Sequence, residues 1–167
     1  MADPIVSFYR GGRDSEGRAV ADILAWDDER LEAVHDYIQW VFPTKQPSGV
    51  NPAAPLVTAG TISEFEKDPL LRAGLRSSLD RMLRFYGLRR NGGRIEMDAA
   101  RFTERARNWL NPGNHNHLRL TRIMDSLGTL GLRDDAEAMR RCLIDDVAAG
   151  PGAGRISPRT IEFWRRA

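Results

Sequence analysis

Leu31-Glu32-Ala33-Val34-His35-Asp36-Tyr37-Ile38-Gln39-Trp40-Val41-Phe42-Pro43 sets apolar side chains at Leu31, Val34, Ile38, Val41 and Phe42, the three-and-four spacing of one buried helical stripe. Asp27 just before it suits an N-cap, and Asp28 and Glu29 fall in the first turn, where free N–H groups and the helix dipole favour acids. Pro43 ends the run. The spacing therefore predicts a helix over residues 28–42. From His35 to Trp40 it carries a histidine, a carboxylate, an amide and two large aromatics. His35 borders the apolar stripe, whereas Asp36, Gln39 and Trp40 fall elsewhere on the cylinder. A helix with two such faces is expected to be covered on both, or covered on one while the other forms a pocket wall.

Working outward, the N-terminal 18 residues, with Ile5, Val6, Phe8 and Tyr9 before a glycine-containing turn, read as an extended segment. Ala19 to Trp26 reads as a short helix. After Pro43, three further prolines (Pro47, Pro52, Pro55) predict a long ordered loop to about Gly60. Thr61-Ile62-Ser63-Glu64 has the form of a capping box opening a short helix to Lys67. Asp68-Pro69 starts a helix of about five turns over 69–86, with Leu71, Leu75, Leu79, Met82 and Leu83 inward and Gly87 as its stop. Asn91-Gly92-Gly93 is a turn, and Ile95-Glu96-Met97 either pairs or crosses. Further helices are expected from Asp98 to Leu110, over about 115–130, from Asp134 to Ala149, and after Ser157-Pro158. Residues 150–157 read as a flexible break. The fold class expected is all-α, a single-domain bundle of about six to eight helices with a proline-rich ordered loop.

A chain of 167 residues fits one domain with a sizeable core. Its one cysteine, Cys142, rules out a disulfide within the chain and fits a buried small hydrophobe. No run of eighteen apolar residues and no charged-then-apolar leader is present, so a soluble, cytoplasmic chain with no membrane association is expected. Lys45 and Lys67 are the only lysines among 25 basic residues, an arginine bias of the kind GC-rich bacterial composition produces. Acids are interspersed with the arginines, so nucleic acid is not expected as a partner.

All three histidines lie in two places, His35 in the first stretch and His115 and His117 in Asn114-His115-Asn116-His117-Leu118-Arg119-Leu120-Thr121-Arg122. His117 aligns with the stripe Leu120, Ile123, Met124 and Leu127, whereas His115, Arg119 and Arg122 lie off it. Two arginines one turn apart near a helix N-terminus suit a carboxylate or phosphate. His35 reads as a hydrogen-bonded core histidine, a ligand contact or a metal ligand, and Asp36 as a partner of Arg119 or Arg122 or a pocket group. His115 and His117 point about 200 degrees apart on a regular helix, which disfavours a shared zinc.

These strings, with Phe8-Tyr9-Arg10-Gly11, Ser48, Asn51, Ala54-Pro55, Arg84-Phe85-Tyr86-Gly87 and Asn108-Trp109, resemble the conserved region of the opioid growth factor receptor family. The resemblance spans about residues 8–132, and this chain looks like a short, bacterial-type member. It implies an all-helical domain and, for animal members, binding of the pentapeptide Met-enkephalin. It assigns no site residue here, since fold transfers between relatives better than ligand.

The function expected is non-catalytic binding of a small anionic molecule or peptide by His35, Asp36, Gln39, Asn51, His115, Arg119 and Arg122, without cofactor or metal. The oligomeric state is left open. Two alternatives stand beside it. One is a hydrolase or transferase with His35 or His115 as general base oriented by Asp36. The other is an interaction module using arginine faces or the Trp164 tail.

Overall fold

The computed structural model describes residues 1–167, and its frame is a set of short helices packed around one long one. In chain order these are α1 (Pro4–Tyr9), α2 (Val20–Leu24), α3 (Asp28–Ala33), α4 (Ile38–Val41), α5 (Ala59–Lys67), α6 (Pro69–Tyr86), α7 (Phe102–Trp109), α8 (Asn116–Thr129), α9 (Arg133–Arg141) and α10 (Pro158–Arg166). α9 runs on as a π-helical segment over Cys142–Ala148. Between α6 and α7 lies an antiparallel hairpin, β1 (Leu88–Asn91) and β2 (Arg94–Met97). The expectation of an all-α bundle of six to eight helices is therefore corrected to a mostly helical fold of ten helices plus a two-stranded sheet. Its physical basis is the two-residue turn Gly92-Gly93, with φ +60° at Gly92, and the cross-strand pairing of Arg89 with Glu96 directly opposite it.

The N-terminal segment expected to be extended is helical over Pro4–Tyr9. Asp3 caps it, its Oδ1 accepting the N–H groups of Ile5 at 2.8 Å and Val6 at 3.1 Å, and Pro4 sits where its missing N–H costs nothing. α5 begins earlier than Thr61: Thr58 is its cap, and Thr61 is the reciprocal partner in the capping box. α6 spans the residues its spacing predicts and buries Leu71, Leu75, Leu79, Met82, Leu83, Phe85 and Tyr86. Gly87 ends it at φ +76°, where a Cβ would also lie 2.7 Å from the Cα of Phe102. Only glycine meets both demands.

The helix predicted over 28–42 is broken. α3 stops at Ala33, Val34 turns extended (φ −91°, ψ 132°), and α4 starts at Ile38, so His35, Asp36 and Tyr37 stand at a bend. In an unbroken helix the Leu31 carbonyl would accept the His35 N–H. It accepts instead from Arg119 Nη1 at 2.9 Å and from the Tyr37 hydroxyl at 2.8 Å, while Arg119 Nη2 donates to the Val34 carbonyl at 2.9 Å. The bend is held from outside by a buried arginine of α8.

The proline-rich segment after α4 is ordered by Val57 N–H donating to the Thr44 carbonyl and by Ser48 Oγ accepting the N–H groups of Val50 and Asn51. Residues 150–157 are wound into turns, with Gly152 N–H on the Val147 carbonyl at 2.7 Å and Ile156 buried. Trp109 and Trp164 are both fully buried, so Trp164 offers no exposed tail contact. Cys142 is buried too, and burial pushes its thiol up to about 12. No helix is long and apolar enough to cross a membrane.

Candidate functional site

A groove of about 680 Å³ opens where the α3–α4 bend, the proline-rich loop, α8 and the end of α10 meet. Five of the seven residues singled out from sequence line it: His35, Gln39, His115, Arg119 and Arg122. Asp36 and Asn51 stand behind. Asp36 pairs with Arg18 at 2.9 Å rather than with Arg119 or Arg122, and Asn51 Nδ2 donates to the Asp36 carbonyl at 3.2 Å. Both therefore fix the bend from its far side.

The two arginines are one turn apart on α8 and both cap the ends of short helices, where carbonyls lack intrahelical partners. Arg119 is buried, closes the bend as described, and stacks its guanidinium 5.6 Å from the centre of the Tyr37 ring. Arg122 Nη1 donates to the Phe42 carbonyl at 3.2 Å and to Thr44 Oγ1 at 3.4 Å. Burial pushes its pKa below the usual arginine value, against the pull of Asp125. Arg122 has no carboxylate within ion-pair distance, and its other guanidinium nitrogens are left without protein partners.

His35 accepts a hydrogen bond at Nδ1 from Arg119 Nη2 at 3.1 Å. That contact requires a neutral ring with its proton on Nε2, which leaves an N–H donor on an exposed side chain. Desolvation of the inner edge, followed by the charges of Arg119 and His115, lowers the His35 pKa. The His35 and His115 rings meet edge to face at 5.3 Å. His115 Nε2 lies 2.7 Å from Glu32 Oε1, and Glu32 also accepts from Asn116 Nδ2 at 3.0 Å and Asn108 Nδ2 at 3.1 Å. Burial alone would raise the Glu32 pKa, but those amides, with His115 and Arg119, outweigh it and hold the carboxyl below its usual range. Tyr86 completes the chain by donating to Asn116 Oδ1 at 3.2 Å.

His117 takes no part in the groove. Its Nε2–H donates to the Trp109 carbonyl at 2.9 Å, its own carbonyl accepts Trp164 Nε1 at 3.3 Å, and burial lowers its pKa. The three histidines do not converge, and no group of three or more His, Cys, Asp or Glu side chains is placed to hold a metal ion.

Two further charged side chains, Asp125 and Arg166, line the groove, and the rest of the lining is apolar or neutral. Val50, Leu118 and Phe163 are exposed hydrophobic side chains around the groove, with Pro47 and Ile38 beside them. Gln39 is buried in the wall; one end of its amide meets Ser48 Oγ at 3.4 Å, and the other has no partner. Such a group costs about 1–3 kcal/mol unless something enters to bond it. Sequence reasoning assigned no roles to Glu32, Asn108 and Asn116, although Glu32 precedes His35 by one turn and the other two lie in the strings quoted above. It also passed over Leu118 and Phe163, whose exposure follows only from how α10 lies on α8.

The chain matches the sequence family described as the opioid growth factor receptor conserved region over residues 7–165. It is 37% identical to the opioid growth factor receptor of Mus musculus over 167 residues, covering 95% of this chain and 26% of the relative. It is 36% identical to that of Homo sapiens over 151 residues (86% and 22%) and 31% identical to the opioid growth factor receptor-like protein 1 of Mus musculus over 144 residues (83% and 30%). The chain thus spans about a quarter of the length of these relatives. No solved structure matches it.

Proposed function

Because this chain belongs to the family of the opioid growth factor receptor conserved region, we propose that it is a receptor-type module whose groove binds a small anionic molecule or the charged end of a peptide. The observation that carries this reading is Arg122. A half-buried guanidinium lines an open groove with no carboxylate within ion-pair distance, Asp125 pulling on it only from farther off, so an anion entering the groove would meet an unpaired partner. Around it, His35 Nε2–H supplies a further donor, Gln39 an unpaired amide oxygen that can accept an N–H of a peptide, and Val50, Leu118 and Phe163 an apolar rim. Polar groups placed within an apolar surround are the usual make-up of a ligand site. The relatives are named for a growth-factor ligand, which supports a peptide as the occupant.

Calorimetry with Met-enkephalin and with its C-terminal amide tests the reading. Binding of the free acid that weakens about tenfold in the amide, and equally in Arg122→Gln, is expected from loss of a charge-assisted bidentate pair. Equal affinity of acid and amide, or wild-type affinity in Arg122→Gln, rejects Arg122 as the anion contact.

One observation favours a second reading, an enzyme in which His115 is the base. His115 is oriented by Glu32 at 2.7 Å and lines the groove, a pairing that Asp36, turned toward Arg18, does not make with His35. Turnover that is lost in His115→Gln and reduced in Glu32→Gln would mark it; turnover unaffected by either change would exclude it.

A further inference from the structure

A second concentration of arginine lies away from the groove, beside the start of α3. Arg81 and Arg84 of α6 and Arg101, just before α7, line a depression of about 430 Å³ together with Trp26, Asp27 and Asp28. Arg84 and Arg101 also line the neighbouring depression over the hairpin, so these two side chains form the ridge between them.

The local charge does not close. Asp27 is occupied as the cap of α3, its Oδ1 accepting the Arg30 N–H at 2.8 Å. Asp28 alone faces three guanidinium groups: Arg81 at 2.9 Å, Arg101 at 3.4 Å and Arg105 at 3.6 Å. Arg105 is further held by the Phe85 carbonyl at 2.7 Å, and Arg81 by the Trp26 carbonyl at 2.8 Å. Even so, Arg81 Nη1 and Arg101 Nε are buried without a hydrogen-bond partner. Arg84 is exposed and makes no ion pair. In Arg84-Phe85-Tyr86-Gly87, the last three residues are accounted for by the core and the turn, and Arg84 by neither.

We propose that this depression is a second anion site, bridged by Arg84 and Arg101 and backed by Arg81, that takes a tetrahedral oxyanion of the phosphate class. The shape of the donor set selects the class. Asp28, the one free carboxylate here, is already divided, its Oδ1 accepting from Arg81 Nη2 at 2.9 Å and its Oδ2 facing Arg101 and Arg105. The donors left over belong to Arg84 of α6 and to Arg101 before α7, two separate elements that can each give one contact to the terminal oxygens of a phosphate. Arg81, Arg84 and Arg101 against Asp27 and Asp28 leave one excess positive charge in the depression for an anion to meet. Arg81 and Arg101 are held before the anion arrives, and Arg84 is free to close on it.

The test uses the whole chain with arginine Nε–H resonances followed by NMR, titrated with inorganic phosphate and with phenyl phosphate. Saturable shifts at Arg84 and Arg101 with both probes are expected, with tighter binding of phenyl phosphate if the natural ligand is an ester and equal binding if it is the free ion. Arg84→Ala removes an exposed side chain that makes no hydrogen bond or ion pair, so the fold should stay intact; it should weaken phosphate about tenfold, the loss expected for one charged contact. Arg122→Gln, in the other groove, should leave these shifts unchanged. Absence of saturable shifts at millimolar phosphate, full affinity in Arg84→Ala, or shifts abolished by Arg122→Gln would overturn the proposal.

Discussion

Arg119 Nη1 donates to the Leu31 carbonyl, the oxygen that a continuous helix would have given to the backbone N–H of His35. One side chain thereby decides where α3 ends, which way His35 faces and how the groove is walled.

Replacing Arg119 with alanine should cost about 3 kcal/mol in urea unfolding, since two buried carbonyls lose a charged donor at once. Arg119→Lys should recover only part of this, because an ammonium lacks the fork that reaches both carbonyls. A loss under about 0.5 kcal/mol would mean that the bend stands without it.

Acid should loosen the protein in two stages. His35 and His117 both have lowered pKa values in the folded chain, so their contribution is complete above the unfolded value near 6.5 and is lost as pH falls through the folded values. Glu32 is lowered as well, so its share persists to below about 4.5 and is lost at lower pH. Melting temperature against pH should therefore begin to fall below about 6.5, and His35→Gln should flatten the first stage. A curve level down to pH 4.5 in the wild type would contradict the neutral assignment of His35.

Gly87→Ala should destabilise by about 2 kcal/mol or more, because the new methyl group faces both a left-handed φ and the backbone of Phe102. Gly92→Ala, with φ +60° but nothing near its Cβ, should cost less. Chemical denaturation of the two variants side by side separates strain from clash.

Cys142 should be inert in the folded chain. With the thiol buried and its pKa pushed up to about 12, a thiol-specific disulfide reagent at neutral pH should react only at the rate of unfolding. Rapid labelling under native conditions would show that the π-helical segment opens readily.

Much of the helical frame is legible because caps and stops are local chemistry. Asp68-Pro69 and Gly87 bracket α6, and Ser157-Pro158 starts α10. The candidate groove was legible in its polar members, since five of seven predicted side chains line it. What was not legible depends on distant partners. Nothing between Asp27 and Pro43 announces that Arg119 will take two of its carbonyls. Asp36 and Asn51 carry the right chemistry, but Arg18 and the bend itself use it. The hairpin was half seen because Arg89-Arg90-Asn91 lacks β-branched or aromatic residues, and its pairing becomes favourable only once Glu96 stands opposite Arg89. The N-terminal helix is not legible from apolar spacing because its start depends on the Asp3 cap, a single residue ahead of a six-residue helix.

The bend has a consequence for the order in which the molecule is built. Leu31 and Arg119 are 88 residues apart, so the conformation of the histidine-bearing stretch is a late event in folding. A nascent chain that has emerged only as far as α7 already contains His35, Asp36 and Gln39 but has no donor to hold Val34 extended. Until α8 follows, the local pattern from Asp28 to Phe42 favours the straight helix its spacing describes. The groove is then made by interrupting that helix, and a truncation before residue 119 should show more helix in this stretch than the complete protein does.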